Sequence, residues 1–368
     1  ERESPGSSKQ LKLPLHITQK LAGSAGPVGL KVQDEIGSLA KKKSLSVKRA
    51  GTKESAFLFT KPHANSPRMI ALLKEICEVF GIKILSQGKV NSSSIAQHDM
   101  FRKQFRELCD YSDPPYVRKE EGKVEEEEED TGPKRVFELE DIQISEEENA
   151  AFCQAFDVKS WAMVRAQKKL LTMAQTLDVC PALDEESLGK LHESAEVVHK
   201  VRKGLYVTRL DELPKRSRRK APLYVVNAFT GTMRNSYHAK KAVVNYMVLE
   251  WESSALTWKD FLDQVVGNVN PAQALPGSIR HSVFMDWEKL GLPGEPSSLY
   301  NCVGASSSAF EALRARLIWV KGALLFTDLF GSRILAARIP SGSVKKVLEE
   351  KTLPVQIHTQ PVRQQHKD

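Results

Sequence analysis

The hydrophobic positions near residue 56 predict a β-α-β unit. A short apolar run, Ala56–Thr60, has the composition of a buried strand and ends at a Lys-Pro pair, since proline cannot continue a strand ladder. Ser66 and Pro67 then supply a helix N-cap and a first-turn proline, and Gly81 ends the helix. The next strand begins at "IKILS", and between the two strands apolar residues recur at helical spacing: Met69, Ile70, Leu73, Ile76, Cys77 and Phe80.

The middle of the chain, from about residue 91 to 220, shows mostly helical periodicity. We expect each of four amphipathic segments to form a helix: SIAQHDMFRKQFRELCDY, SEEENAAFCQAF, SWAMVRAQKKLLTMAQTL and SLGKLHESAEVVHKV. Strand and helix alternate again after residue 221, beginning with the predicted strands "APLYVVNAF" and "AVVNYMVLEW". Thr257 caps a predicted helix that ends at Gly267, and a small-residue loop at Tyr300 leads into an amphipathic helix.

Charge and composition divide the chain into parts. The 368 residues carry a net charge of +8, and 41% hydrophobic with 27% charged residues is typical of a globular protein. The first part has eleven Lys/Arg against five Asp/Glu and only short apolar islands, so we interpret it as an extended arm. We predict an arm at 1–54, a domain split between 55–95 and 221–337, a helical insertion at 96–220 with an acidic loop at 119–132, and a tail at 338–368.

A second basic segment, "PKRSRRK", precedes residue 221. Five of six successive residues are cationic: Lys215, Arg216, Arg218, Arg219 and Lys220. Such segments suit RNA, an acidic protein surface or an anionic membrane, and solubilising charge without a partner is the alternative interpretation. No window approaches the roughly 18 uninterrupted apolar residues of a membrane-spanning helix, so we expect a protein that does not span a membrane.

Cysteine and histidine positions indicate neither a disulfide framework nor a metal site. The five cysteines are scattered without a CxxC pair. His192 and His199 lie on one predicted helix, and we interpret them as surface histidines because no third ligand is near them in sequence. The chain begins with Glu1 and not Met, which with the basic arm favours a processed N terminus and a mitochondrial location over a cilium, an axoneme or the cytoplasm.

Four motifs occur in an order that resembles nucleoside diphosphate kinases. They are "FLFTKPHA", "VVNYMVLEW", "GNVNPAQALPGSIR" and "NCVGASSSAFEALRARLIWV", and the third keeps the family's spacing over fourteen residues. The similarity covers roughly residues 55–95 and 221–330. It implies a ferredoxin-like α/β fold, with a four-stranded antiparallel sheet and helices on one face. The block between the two parts resembles the insertion of a larger protist branch of the family.

The resemblance also implies a reaction and a set of site residues. In the family a histidine accepts the γ-phosphoryl group of one nucleotide and passes it to another, while cationic and amide donors stabilise the transferring group. Lys61 and Arg280 match the family's phosphate-contacting cations, Asn301 matches the asparagine before the nucleophile, and Ser306 matches the serine two residues after it. We expect no cofactor, with vestigial binding of ATP and Mg²⁺ as the alternative that this set leaves open.

Other positions of the family's site are replaced. Gly304 stands where the nucleophilic histidine belongs, Asp263 replaces an arginine that contacts the β-phosphate, and Val269 replaces the loop threonine. The acidic residue that orients the histidine aligns with Ala315, and the family's Lys-Pro-Asp-Gly has His63 at its third position. Because glycine cannot be phosphorylated and the nearby serines and cysteine have no evident base, we predict that no catalytic residue remains.

The sequence thus favours a catalytically inactive nucleoside diphosphate kinase-like protein. We expect it to be a structural or accessory subunit of a large assembly, such as an organellar ribosome, a membrane complex or an axonemal microtubule structure. Its partners are then other protein subunits, with the basic segments contacting RNA or an acidic protein surface. Two alternatives stay open: a nucleotide-binding pseudoenzyme, and an active kinase that transfers a γ-phosphoryl group between nucleotides.

Overall fold

The N-terminal β-α-β unit forms as the sequence predicts. The computed structural model describes residues 52–112, 139 and 142–349. The predicted acidic loop, nearly all of the arm and the end of the tail lie outside these residues. The Ser66 hydroxyl accepts a hydrogen bond from the Met69 amide, Pro67 opens the helix, and Gly81 follows it with a φ of 66°. The elements are β1 (Lys53–Thr60), α1 (Pro67–Val79) and β2 (Lys83–Asn91).

The middle of the chain mixes helices with strands, so the prediction of a helical insertion misses three strands. The segment expected as one helix over Ser160–Leu177 breaks at Lys168, whose φ of 54° is left-handed. Three residues then form a strand, and the Thr172 hydroxyl caps a new helix. The elements are α2 (Ser92–Gln97), α3 (Met100–Gln104), α4 (Arg106–Ser112), α5 (Glu146–Phe156), α6 (Trp161–Ala166), β3 (Leu170–Thr172), α7 (Met173–Val179), α8 (Glu185–Ser194), β4 (Val198–Arg202) and β5 (Leu205–Leu210).

The C-terminal part carries the predicted strands and capped helices. The Thr257 hydroxyl accepts a hydrogen bond from the Asp260 amide at 3.1 Å, and the helix ends at Gly267 with a φ of 90°, as expected for a glycine there. The elements are β6 (Leu223–Val226), α9 (Thr230–His238), β7 (Val243–Glu252), α10 (Trp258–Asp260, continuing as a π-helix over Phe261–Val266), a 3₁₀ turn (Pro271–Gln273), α11 (Ile279–Asp286), β8 (Val303–Ala305), α12 (Ala309–Trp319), α13 (Leu329–Ala336) and α14 (Ser341–Glu349).

The strands of the described residues form two four-stranded sheets. In the first sheet the order is β2-β7-β1-β8 and every pair is antiparallel, with Phe59 opposite Gly304. Helical connections join β1 to β2 and β7 to β8, which gives the predicted ferredoxin-like arrangement. The second sheet has the order β3-β6-β5-β4. It contains β6, although the predicted boundary at residue 221 assigned this strand to the ferredoxin-like part.

Helices cover both faces of the first sheet, whereas the resemblance implied helices on one face only. Leu58 of β1 packs with α1, α11 and the π-helix residue Phe261 on one side. Phe57 and Phe59 point to the other side, where they pack with α3, α9 and Trp319 of α12. Both faces of β1 are therefore apolar and each requires a covering layer. Within the described residues every helix is too short or too polar to span a bilayer.

Candidate functional site

One cavity brings the residues of the predicted site together. Its volume is about 760 Å³, which is in the range of small-molecule sites. Lys61, Arg280, Asn301, Gly304 and Ser306 all line it. They come from the end of β1, the first turn of α11 and the segment around β8. The facing wall belongs to the middle block and α9, and it includes His192, Lys200, Lys203, Tyr206 and Phe229.

Two cations lie on one side of this cavity. Lys61 donates from Nζ to the Leu299 carbonyl at 2.8 Å, and burial together with the nearby Arg280 charge lowers the pKa of Lys61 to about 7. Arg280 is buried and donates from Nη1 to the Gly267 carbonyl at 2.8 Å and from Nη2 to the Val303 carbonyl at 3.0 Å. Burial lowers the pKa of Arg280 to about 10, and its Nε has no hydrogen-bond partner.

Lys61 and Arg280 have no acidic counterpart among the described residues. Among the described residues, neither side chain forms an ion pair with a carboxylate; their hydrogen bonds go to backbone carbonyls. Buried cations without an opposite charge are costly, and the cost falls when an anion occupies the space beside them. This side of the cavity is therefore suited to an anionic ligand.

Asn301 and Ser306 differ in how far their polar groups are already used. Asn301 donates from Nδ2 to the carbonyls of Val269 at 3.3 Å and Ser298 at 3.1 Å, while its buried Oδ1 has no partner. The Ser306 hydroxyl accepts a hydrogen bond from the Phe57 amide at 3.0 Å, and the Ser306 amide donates to the Phe57 carbonyl at 2.9 Å. Ser306 therefore extends the pairing of β8 with β1, while Asn301 keeps one free acceptor.

Gly304 has no room for a side chain. It lies on β8 directly opposite Phe59 of β1. A Cβ at position 304 would be 2.5 Å from Cε1 and 2.9 Å from Cε2 of the Phe59 ring, which is closer than side-chain carbons approach. Phe59 is itself fixed, because it is 4% exposed and stacks on Trp319 with 5.9 Å between ring centroids. The space beside Gly304, the position that the resemblance aligns with the family's nucleophile, is thus filled by an aromatic ring.

The hydroxyl and thiol groups near Gly304 take part in local contacts. Ser307 donates from its amide and its hydroxyl to the Glu311 carboxylate, at 2.8 and 2.5 Å. The Ser308 hydroxyl accepts from the Glu311 amide at 3.2 Å and caps α12. Burial raises the pKa of the Cys302 thiol to about 12, so the thiolate is disfavoured. The two serines stabilise the turn into α12.

The replaced positions are spread around the cavity. Asp263 lies on the π-helix, is half-exposed, pairs with Lys259 one turn earlier and does not line the cavity. Val269 lies at the cavity lining with 43% of its surface exposed, and Ala315 lines the cavity from α12. His63 packs edge-on against Tyr300, and burial together with the Lys61 charge lowers the pKa of His63 to about 4.

The aromatic residues of the facing wall were not anticipated from the sequence. Tyr206 on β5 and Phe229 before α9 meet edge to face with ring centroids 5.6 Å apart. His192 lies 4.8 Å from the Phe229 ring, and its Nδ1 is 2.6 Å from the Thr208 hydroxyl. Burial lowers the pKa of His192 to about 4. Together they form an apolar, aromatic part of the cavity lining, on which a planar ring could stack.

The two histidines expected on one helix lie on different elements. His192 belongs to α8 and lines the cavity, whereas His199 belongs to β4. The interpretation of His192 as a surface residue is therefore wrong, because its side chain lies against Thr208 of β5 and the Phe229 ring. Within the described ranges, no group of three or more His, Cys, Asp or Glu side chains could hold a metal ion.

The charged side chains that line the cavity are mainly positive. Six cations face three carboxylates, and two of these cations have acidic partners, since Arg106 lies 3.8 Å from Asp110 and Lys203 pairs with Glu311. The excess of positive charge raises the local concentration of anions in a partly closed cleft. The charged lining residues are Lys61, Arg106, Lys200, Lys203, Arg280 and Arg314, with Glu107, Glu193 and Glu311.

Comparison with known proteins adds one structural match. No protein-family model matches the sequence, and no curated protein matches it significantly. Among solved structures, the chain matches an NDP kinase from Pyrobaculum aerophilum at 15% sequence identity, over 74% of this chain and 97% of that chain. The TM-score of this match is 0.29, a similarity too low to carry an argument. The fold assignment therefore stands on the strand order described above, and any function must be argued from the cavity.

Proposed function

We propose that this chain is a catalytically inactive nucleoside diphosphate kinase-like protein that acts as an accessory subunit of a larger assembly. The ferredoxin-like strand order and the four sequence motifs support the family. The convergence of Lys61, Arg280, Asn301 and Ser306 on one cavity supports it further, because these positions are far apart in sequence. The chain then works through binding and not through phosphoryl transfer.

The contact between Gly304 and Phe59 carries the proposal of inactivity. Covalent phosphoryl transfer needs a side chain with a lone pair at the reacting phosphorus atom, and glycine has none. The ring of Phe59 takes the space in which such a side chain would stand. Removing a covalent nucleophile lowers the rate by several orders of magnitude in general. In this chain the Phe59 ring also fills the space beside Gly304.

Steady-state turnover tests this proposal. The purified chain and its Gly304→His variant are assayed for transfer from ATP to GDP with Mg²⁺, beside an active nucleoside diphosphate kinase. We expect neither form to exceed the rate without protein, because the histidine in the variant cannot occupy the position held by Phe59. Circular dichroism establishes that the variant is folded. Turnover by the unmodified chain at an ordinary enzymatic rate, from about 1 to 10³ per second, would overturn the proposal.

A nucleotide-binding pseudoenzyme is the second candidate, and the unused polar atoms of the cavity favour it. The Nε atom of Arg280 and the Oδ1 atom of Asn301 are buried without partners, and both residues line the cavity. A phosphate oxygen would satisfy the first and a ribose hydroxyl the second. The aromatic pair of Tyr206 and Phe229 offers a stacking surface for a base.

Thermal stabilisation by GDP separates the two candidates. A ligand that binds only the folded state adds about 2.7 kcal/mol to stability at 100 times its Kd, so the melting temperature rises measurably. Under the second candidate, Lys61→Met abolishes this rise, because the cation beside the phosphate is lost. Lys74→Met is the matched control, since Lys74 is exposed on α1 and does not line the cavity. If GDP, ATP and pyrophosphate all leave the melting temperature unchanged, the accessory role is the candidate that remains.

Exposed apolar side chains in the C-terminal segment support an accessory role. Among the described residues, Phe326 is 64% exposed, and Leu324 and Ile339 are also exposed within the same sixteen-residue stretch around α13. Exposed apolar groups close together are typical of protein interfaces. We propose protein subunits as the partners and a mitochondrial assembly as the location. Co-purification from the native source with a defined complex is expected, and Phe326→Ser should weaken it; a free homo-oligomer would contradict the accessory role.

A further inference from the structure

A cluster of exposed cations lies at the end of the second sheet where β6 begins. It contains the loop between β5 and β6 together with the turn before β3, and we call it the basic rim: Lys168, Lys215, Arg216, Arg218, Arg219 and Lys220. All six residues are exposed. The rim is distinct from the cavity, because none of its six residues lines it.

Strand pairing joins the two segments of the basic rim. β3 and β6 are parallel, with Leu170 level with Tyr224, and the Tyr224 amide donates to the Lys169 carbonyl at 2.9 Å. Lys168 directly precedes the residue that accepts this hydrogen bond, and Lys220 lies four residues before Tyr224. Lys168 and the cations of the loop, which are 47 or more residues apart in sequence, therefore lie at the same end of the sheet.

Hydrogen bonds fix the loop between β5 and β6 in place. The Arg218 amide donates to the Val179 carbonyl at the end of α7, at 2.8 Å. The Ser217 amide and hydroxyl both donate to the Pro214 carbonyl, at 3.2 and 2.8 Å, and close a turn. An anchored loop loses less conformational entropy on binding than a free one, so its cations are preorganised.

The charges of the basic rim are not neutralised by the described part of the chain. None of its six side chains forms an ion pair with a described carboxylate, whereas the neighbouring Arg209 pairs with Asp211 and Glu196. Within the described residues, no large exposed apolar side chain lies in 211–222 or beside Lys168. A protein interface needs an apolar centre, whereas contact with a phosphate backbone is polar and strongly cationic. The composition therefore favours a nucleic acid over an acidic protein.

We infer that the basic rim binds the phosphate backbone of a nucleic acid. Three arginines among the six cations suit bidentate contact with phosphate oxygens. Such contacts fix position on the backbone and carry no sequence preference of their own. The rim is thus an anchoring surface, and RNA and DNA present the same phosphate chemistry to it.

Salt-dependent binding of the full chain to a labelled 20-nucleotide poly-uridine RNA tests this inference. The rim variant carries Gln in place of Lys215, Arg216, Arg218, Arg219 and Lys220. The control variant loses the same charge elsewhere, with Gln in place of the exposed lysines Lys74, Lys83, Lys89, Lys240 and Lys241. Because both variants keep the N-terminal basic arm, any contribution from the arm is the same in each.

The expected result is a lower salt slope in the rim variant alone. Five lost phosphate contacts reduce the slope of log K against log salt by about 3.5, at roughly 0.7 per contact for a single strand. From 50 to 200 mM salt the unmodified chain should then lose about 100-fold more affinity than the rim variant. Duplex RNA and duplex DNA probes of the same length show which backbone is preferred. Equal slopes in the rim and control variants, or equally rim-dependent binding of poly-glutamate, would overturn the inference.

Discussion

Placing a single methyl group at position 304 probes the central packing contact. In Gly304→Ala the new Cβ would lie 2.5 Å from Cε1 of the Phe59 ring, about 1 Å inside ordinary contact, and the ring also stacks on Trp319. Overpacking of this kind costs about 1–3 kcal/mol. The substitution should therefore lower the free energy of unfolding by that amount, although glycine-to-alanine changes at unstrained sites usually stabilise.

Chemical unfolding followed by tryptophan fluorescence measures this effect, since Trp319 contacts Phe59 directly. Gly294→Ala is the matched control, because a Cβ there meets no atom within 4 Å and its backbone is not in the left-handed region. We expect the control to be neutral or slightly stabilising. A Gly304→Ala variant as stable as the control would refute the idea that Phe59 fills the nucleophile position.

A double-mutant cycle isolates the contact. Phe59→Ala alone should cost about 3–5 kcal/mol, because it removes a buried ring that packs on Trp319. In that background Gly304→Ala should cost under 1 kcal/mol, since the clashing ring is gone. The coupling energy between positions 59 and 304 is then about 1–3 kcal/mol. Purely additive effects would place the cause of any destabilisation elsewhere in β8.

Three further predictions concern single side chains. Arg316→Met should cost about 3–5 kcal/mol in chemical unfolding, because Asp328 is buried with it and would be left as an unpaired charge. Ser306→Ala should lower the free energy of unfolding by about 1–3 kcal/mol, because the buried Phe57 amide loses its hydrogen-bond acceptor. Ser307→Ala should cost less, because Ser307 is exposed. The unfolded chain holds a proton on Lys61 up to pH 10.5 and the folded chain only to about pH 7, so stability should rise with pH across that window. The rise should be absent in Lys61→Met, and equal pH profiles of the two proteins would contradict the lowered pKa.

Local signals in the sequence predict the ferredoxin-like part well. Ser66, Pro67, Thr257 and Gly267 set helix ends through their own backbone chemistry, so their effects are visible without knowledge of the fold. The second sheet was missed because β3 has only three residues, and its side chains continue the helical spacing of the residues around them. Only pairing with β6, more than fifty residues later, makes this segment a strand.

The candidate site is likewise predicted from the sequence only in part. The motif positions Lys61, Arg280 and Asn301 follow from the resemblance, and the structure brings them to one cavity. The aromatic wall depends on how the middle block packs against the first sheet, which no short-range pattern encodes. Phe59 is the clearest case: in sequence it is one apolar residue of a strand, and only cross-strand register reveals that it lies over Gly304.

A single-turnover experiment tests the central claim most directly. Stoichiometric amounts of the unmodified chain are mixed with γ-labelled ATP and Mg²⁺, quenched at intervals, and examined for label on the protein and, after addition of GDP, on GTP. Because Gly304 stands at the proposed nucleophile position and is covered by the Phe59 ring, we predict no labelled protein and no labelled GTP. A labelled, acid-labile phosphohistidine that passes its phosphoryl group to GDP would contradict it.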